Sequence, residues 1–341
     1  MPLPAVCAAS TEPILVLAPM ATLGHAALRS LIHEYGGCDL YFSEMISAEA
    51  LIGGTPFESY YIETAPDPSR LVFQLLGKRP EAIVEAARRI GDVPCAGIDI
   101  NFGCSAPHIR KAGGGIAWTQ DADRAAALVS MLRKTVPAGK TVSVKLRLGE
   151  GEEPEETITL ARRLVDAGVD FLSIHPRRMK EGYARPARWA MISRFVDQVA
   201  VPIIGNGDVR TEAEYRAAAK TGVAGVMIGR GAVARPWVFR ELRSAPAGGT
   251  GEPIDLPAVA DRFHELLVRW QPREFLHSRV RRFHAYFLAT LPFGTRLAAQ
   301  VQAQQGFDQI VTFVRAYFDL YPQFRYAIPA VKRSEGIRVD G

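Results

Sequence analysis

The sequence predicts an α/β fold, a (β/α)8 TIM barrel followed by a small C-terminal helical bundle. Three observations carry that prediction. Short apolar runs rich in branched residues recur through the first two thirds of the chain, as strands buried on both faces do. Helical patterns fill most of the gaps between them. After about Ala245 the composition passes through a Gly/Pro-rich stretch into helical patterns alone.

The strands come in order. "ILVLAPM" (Ile14–Met20), "LYFSEM" (Leu40–Met45), "LVFQLLG" (Leu71–Gly77) and "AGIDINFG" (Ala96–Gly103) are the first four. "VSVKLRLG" (Val142–Gly149), "FLSIHPR" (Phe171–Arg177), "PIIGNGDV" (Pro202–Val209) and "GVMIGRG" (Gly225–Gly231) complete the set. Between them, "RPEAIVEAARRIG" places Ile83, Val84, Ala87 and Ile90 on one face and stops at Gly91. "DADRAAALVSMLRKTV" opens on an Asp and lines up Leu128, Met131 and Leu132. "EPEETITLARRLVDAG" begins with acids and closes on Gly168, and "TEAEYRAAAKTG" runs from Thr211 as cap to Gly222 as stop. An open doubly wound sheet is the competing fold, and the lack of GxGxxG after the first strand counts against its dinucleotide-binding version.

Beyond the stretch "SAPAGGTGEPIDLP", the segments "PAVADRFHELLVRW", "HSRVRRFHAYFLATL" and "FDQIVTFVRAYFDL" form three or four amphipathic helices. Phe263, Leu267, Phe283, Phe287, Phe313 and Phe318 are the expected core of that bundle, and "VKRSEGIRVDG" reads as a frayed tail. The expected domains are therefore residues 1–245 and 246–341.

Composition narrows the classes of function. The chain has 341 residues, 48% hydrophobic and 23% charged, enough for one large domain and a small one. No apolar run reaches the roughly 18–20 residues of a membrane span. The N-terminus lacks a basic region ahead of its apolar part, so no targeting segment is expected and the expected location is cytoplasmic. Cys7, Cys38, Cys95 and Cys104 form no CxxC and have no histidine pair at zinc spacing, so neither a disulfide framework nor a metal site is expected. The net charge is +5, and the stretch from Asp255 onward carries 12 Lys/Arg against 8 Asp/Glu. Such a surplus suits a polyanion, and equally an ordinary solvated helix face.

In a barrel the chemistry sits at the C-terminal ends of the strands. Gln74 lies on the third strand, Asn101 and Cys104 end the fourth, and Lys145 and Arg147 lie on the fifth. His175 and Arg177 end the sixth, while "GNGD" (Asn206–Asp208) and "GRG" (Gly229–Gly231) end the last two. The loops after strands seven and eight are the usual phosphate cradle of this fold, where Gly207, Gly229 and Gly231 let backbone N–H groups approach an anion and Arg230 adds a charge. A phosphorylated ligand across the barrel mouth, beside a cation such as Lys145 that stabilises a reduced ring, describes flavin mononucleotide.

Here the sequence resembles a known family. "LAPM", "QLLG", "INFGC", "VKLRLG", "IIGNGDV" and "MIGRGAVARPWVF" occur in the order and spacing of the tRNA-dihydrouridine synthases. The resemblance covers nearly the whole chain and implies an FMN barrel that reduces the C5–C6 bond of uridines in folded RNA, with NADPH as reductant. It implies FMN contacts at Pro19, Met20, Ala21, Gln74, Lys145, His175, Asn206, Gly207, Asp208, Gly229 and Arg230, and a proton donor at Cys104. It also implies RNA binding by the helical domain, with tRNA as the expected partner and no membrane or obligate protein partner. Hydride addition at C6 of uracil leaves C5 in need of a proton, which a thiol, mostly protonated at neutral pH, can supply. Asn101 and Arg177 are expected to hold the base, and Arg279, Arg281 and Arg282 to grip RNA phosphates, at least two of the three pointing outward. The glycines at 113–115 are expected to leave room for a nucleotide or a moving lid.

Three departures lie at the substrate mouth. The family's "GCP" and basic pair become "GCSAPHIRK", with His108, Arg110 and Lys111 in shifted positions; "HGRT" becomes "HPRRM"; and "GVTD" becomes "ATLGHAAL". The alternatives are a small-molecule FMN reductase of the dihydroorotate or dihydropyrimidine type, a synthase acting on rRNA, and an RNA-binding protein without the chemistry. The basic helical tail argues against the first, and Cys104, Lys145 and His175 argue against the last.

Overall fold

The computed structural model describes residues 3–7, 10, 12–182, 185–244 and 252–327. Eight parallel strands close into a barrel: β1 (Ile14–Leu17), β2 (Leu40–Ser47), β3 (Leu71–Leu76), β4 (Gly97–Phe102), β5 (Thr141–Leu148), β6 (Phe171–Arg178), β7 (Ile203–Asn206) and β8 (Gly225–Ile228). Each pairs with its sequence neighbour and β1 closes on β8, with Val16 opposite Met227. Closure leaves no free sheet edge. The predicted strand order holds, and the open-sheet alternative is excluded.

The helices fall where the sequence put them: Pro80–Gly91, Ala122–Thr135, Glu155–Asp166 and Glu212–Ala219. Asp121 caps the second by accepting from the Arg124 N–H. In that helix Ala125, Leu128, Val129 and Leu132 are buried, while Met131 is turned outward at 39% exposure. Alternation along the strands separates two environments. Ile98, Ile100, Val142, Val144, Leu172 and Ile174 alternate with the polar residues of their strands, and all six are buried. Ile14, Val16, Leu40, Phe42, Val72, Phe171, Ile204 and Met227 cluster with Cys7 and Leu3, so the turn Ala5–Cys7 packs on the apolar part of the barrel core. The chemistry-bearing residues lie nearer the strands' C-terminal ends.

The chain divides into two compact units. The first comprises the described residues of 1–26, 38–209 and 214–229; the second comprises 27–37, 210–213 and the described residues from Arg230 to Ala327. This division departs from the expected boundary at 245/246. The reason lies within the second unit, where Arg243 donates to the carbonyls of Gly36 and Gly37 at 3.1 and 3.0 Å, and Tyr35 lies against Trp237. Those contacts bind Val238–Ser244 to residues 27–37. Residues 245–251 of the expected linker, and the expected tail, lie outside the described residues.

The second unit holds the predicted bundle: helices Leu256–Trp270, Arg273–Phe287, Gly294–Ala303 and Phe307–Leu320. Phe263 stacks on Phe283 with centroids 3.7 Å apart, and Phe283 stacks on Phe287. Leu267 and Phe318 are buried as expected, whereas Phe313 is half-buried and Val314 takes the core position beside it. Among the described residues, no helix is long and apolar enough to cross a membrane.

Candidate active site

Register places the polar residues side by side. Gln74 pairs with Asp99 and Asp99 with Ser143; one step further along, Asn101 pairs with Lys145 and Arg147 with His175. Residues two apart on a strand share a face, so Asp99 and Asn101 point the same way, as do Ser143, Lys145 and Arg147. Sequence reasoning does not single out Asp99 or Ser143 as site residues, although Asp99 opens the segment "DINFGC". A lone acid in an apolar strand is the signal that marks it.

Cys104 follows β4 in an irregular loop and is half-buried. Its N–H donates to Asn101 Oδ1 at 2.8 Å, and the Gly103 N–H donates to the same oxygen at 3.1 Å. Its carbonyl accepts from the Ile116 N–H at 2.9 Å. The end of the glycine run therefore packs on the Cys104 backbone. Gly115 has φ +58, and a Cβ there would lie 2.4 Å from the Cys104 carbonyl oxygen. Of the three glycines expected to leave room for a nucleotide or a moving lid, Gly115 is required by the close approach of its own backbone to Cys104. Arg147 ties the loop to β6, with Nη1 on Ser105 Oγ at 3.3 Å, Nε on the Arg177 carbonyl at 3.1 Å and Nη2 on the Gly182 carbonyl at 3.2 Å.

Along β6 and β7 the expected ligands are partly engaged with one another. Arg177 is buried and ion-pairs with Asp208, its Nε donating to the Arg185 carbonyl at 2.6 Å. Asp208 also accepts from the Ala187 N–H at 2.8 Å and sits at φ +55, a left-handed conformation that these bonds hold in place. Arg177, expected at the base, and Asp208, expected at the cofactor, are thus paired with each other where a lone charge would be costly. Asn206 donates to the Met227 carbonyl at 2.8 Å and joins β7 to β8. Gly207 has φ +147, and a Cβ there would lie 2.7 Å from the Ala187 Cβ. Gly229 faces the Met20 sulfur at van der Waals distance. The loop after β1 is itself strained, with Thr22 at φ +64 and its N–H bonded to buried Glu44 at 3.0 Å.

Burial dominates the electrostatics. It pushes the Asp99 carboxyl up to about 6, against the opposing hydrogen bonds from Ser143 and Gln74 and the charge of Lys145. It pushes the Lys145 ammonium down to about 8, opposed by Asp99 and Cys104 and aided by Arg147. It pushes His175 down to about 3, with Lys145, Arg147 and Arg177 adding to the effect, so that the imidazole is neutral at physiological pH. Among the described residues the Lys145 ammonium makes no side-chain hydrogen bond, which leaves a cation with donors to offer.

The loop after β4 forms the short helix Pro107–Lys111, whose Arg110 donates to the Met179 sulfur at 3.7 Å. The shifted basic residues of that loop thus meet the "HPRRM" segment within the same unit.

In the second unit the three arginines separate. Arg282 is exposed and lies over the Tyr286 ring, and Arg281 is half-buried, donating to Gln302 at 3.2 Å. Arg279 is 3% exposed with its guanidinium over Phe275. This corrects its expected place on an RNA-facing surface: its position on the helix turns it toward the core beside Val280 and Phe283, where the ring shields its charge.

A closed (β/α)8 barrel with a half-buried thiol, a lysine of lowered pKa and two glycine-bearing loops at its strand ends defines a barrel-mouth site. The Dihydrouridine synthase (Dus) family profile matches residues 16–269. The tRNA-dihydrouridine(16) synthase of Aquipseudomonas alcaligenes is 31% identical over 312 residues, covering 87% of this chain and 97% of the relative. The tRNA-dihydrouridine(16) synthase of Cupriavidus necator is 33% identical, covering 85% and 93%. A Mycobacterium tuberculosis protein named "Probable tRNA-dihydrouridine synthase" is 33% identical, covering 86% and 79%. The chain belongs to the dihydrouridine synthase family, a family of oxidoreductases.

Proposed function

We propose that the protein is an FMN-dependent enzyme that reduces the C5–C6 bond of a uridine in tRNA to dihydrouridine, with NADPH as reductant. The observation that supports it most is Cys104, whose backbone N–H is held by Asn101 on the strand-end ring that also carries Lys145 and His175.

The residues present fit a flavin mononucleotide. Lys145 has donors to offer and a lowered pKa, His175 is neutral, and Gly207 and Gly229 present bare backbone at the phosphate end. Pro19, Met20 and Ala21 follow β1 at the same end of the barrel, and Gln74 belongs to the polar set shared by β3 and β4. Arg230, the residue after Gly229, supplies a charge for the phosphate. Asn206 and Asp208 act by shaping the β7 loop. A bound flavin would supply the hydride that C6 of the uracil ring needs. Cys104 then gives the proton from its sulfur to C5, acting as an acid and not as a nucleophile. Asn101 fixes the loop that aims the thiol, and Lys145 stabilises negative charge on the reduced ring system. The base must leave its stack to reach the thiol, which costs a few kcal/mol and is offset by phosphate contacts elsewhere. Arg282 and Arg281 supply such contacts, as do the basic residues His108, Arg110 and Lys111.

Mass spectrometry of tRNA from a strain lacking this protein tests the proposal. One dihydrouridine should disappear and return with the wild-type gene. Relatives carry the name of position 16, so that position is the first to inspect. An unchanged dihydrouridine profile in tRNA overturns the reading, and a loss confined to rRNA moves the substrate there.

A further inference from the structure

We propose that Asp99 is a positioning residue for the thiol of Cys104, acting through the amide orientations of Gln74 and Asn101. The inference rests on the proposed reaction, in which Cys104 delivers the proton.

Asp99 and Gln74 are fully buried and Asn101 is 6% exposed. An ionised carboxylate only accepts. Asp99 Oδ1 takes the Ser143 hydroxyl at 2.6 Å, and Oδ2 takes Gln74 Nε2 at 2.7 Å. The Gln74 amide therefore has one acceptable orientation, since turning it over would set Oε1 against the carboxylate. In that orientation Gln74 Oε1 accepts from Asn101 Nδ2 at 2.9 Å. Asn101 is then fixed as well, and its Oδ1 faces the N–H groups of Gly103 and Cys104. A reversed Asn101 would turn an NH2 group on two backbone donors and release the loop. An amide alone has no preferred direction, so the polarity of the chain is set by the acceptor-only carboxylate at one end and the donor-only N–H groups at the other, and buried charge-assisted bonds hold the carboxylate end in place. The hydrogen bonds from Asp99 reach the Cys104 backbone through Gln74 and Asn101, which makes its effect on the thiol through them one of position.

The test uses intact holoenzyme, reduced beforehand, in single turnover with a saturating unmodified tRNA transcript. Asp99→Ala should slow dihydrouridine formation by about tenfold to a hundredfold, the cost of a misplaced reacting group, with tRNA affinity unchanged. Asp99→Asn should stay within about threefold of wild type, because the new amide's oxygen still accepts from Gln74 while its nitrogen donates to Ser143 Oγ. That rescue separates hydrogen-bond direction from charge. Should Asp99→Ala fail to fold, a second comparison stands in its place. Ser143→Ala and Asp99→Asn should each be nearly as fast as wild type. Their combination should be slow, because the amide introduced at position 99 then has no hydroxyl to fix its own direction. Asp99→Asn as slow as Asp99→Ala, or a double variant no slower than the product of its singles, overturns the role of Asp99. Wild-type enzyme that makes no dihydrouridine, or a Cys104→Ala variant that reduces tRNA at the wild-type rate, overturns the underlying reaction instead.

Discussion

Replacing Cys104 by Ala should leave flavin binding and reduction by NADPH intact while reduction of tRNA falls by about 10²–10⁴, the usual worth of one positioned acid. Stopped-flow absorbance of the flavin, followed first with NADPH and then with tRNA, reads the two halves separately; loss of flavin from the variant would remove the assignment. Gly115 offers an independent probe of the same loop. A Cβ there would press on the Cys104 carbonyl at 2.4 Å, in a left-handed conformation that costs Ala about 1 kcal/mol or more. Gly115→Ala should therefore lower tRNA reduction more than it lowers thermal stability, and equal activity in the variant would show that the loop yields freely. Arg230→Ala should weaken flavin binding by about 1.5–3 kcal/mol, the range for a hydrogen bond to a charged group, and flavin retained after dialysis measures it. At this scale the thiol, the lysine and the glycine turns were legible, because each residue type is unusual where it stands. The pairing of Arg177 with Asp208 was not, because 31 residues separate them and their meeting depends on how β6 and β7 end.

Among the elements, the helices Leu256–Trp270 and Arg273–Phe287 share a buried histidine pair, His264 Nε2 and His284 Nε2 lying 2.8 Å apart. One ring must donate and the other accept, so the contact needs at least one neutral imidazole. Burial pushes His264 down to about 4, with Asp261 opposing and Arg315 aiding, and burial and His264 together hold His284 well below its ordinary value. Both groups bind protons more readily in the unfolded chain. Their contribution to stability is thus fully present above the ordinary histidine pKa of about 6.5 and is lost as pH falls toward about 4. Melting followed between pH 7 and 4 should show a steep fall that a His264→Phe, His284→Leu variant flattens; parallel curves would discard the pair as its cause. The second of these helices also carries the RNA argument. Gln at positions 281 and 282 should flatten the slope of log K against log salt for tRNA binding by about one to two, leaving NADPH oxidation with an artificial acceptor unchanged. An unaltered slope would mean that the RNA docks elsewhere. The helical period announced these elements, but could not say that Arg279 turns inward, since a one-position rotation decides it.

For the molecule as a whole, strand order and barrel closure were legible because apolar runs alternating with amphipathic ones leave few topologies. The division into units was not. It depends on residues 27–37 meeting residues beyond Arg230, a pairing that no local pattern carries. The cysteines show a further result of the same architecture. Cys7 lies in the turn against the barrel core and burial pushes its thiol up to about 12, while Cys38 is fully buried with its sulfur on the Leu40 carbonyl. Burial also raises Cys95, against the pull of Lys140. An alkylating reagent reacts with exposed thiolate, so these three are shielded from it by location or by protonation. Brief treatment with iodoacetamide, followed by peptide mapping, should therefore label Cys104 ahead of the rest, and first labelling at Cys38 would contradict the packing. The consequence is practical: with Cys104 labelled first, a covalent inhibitor, or a fluorescent tag reporting on tRNA arrival, can be attached there in the native sequence.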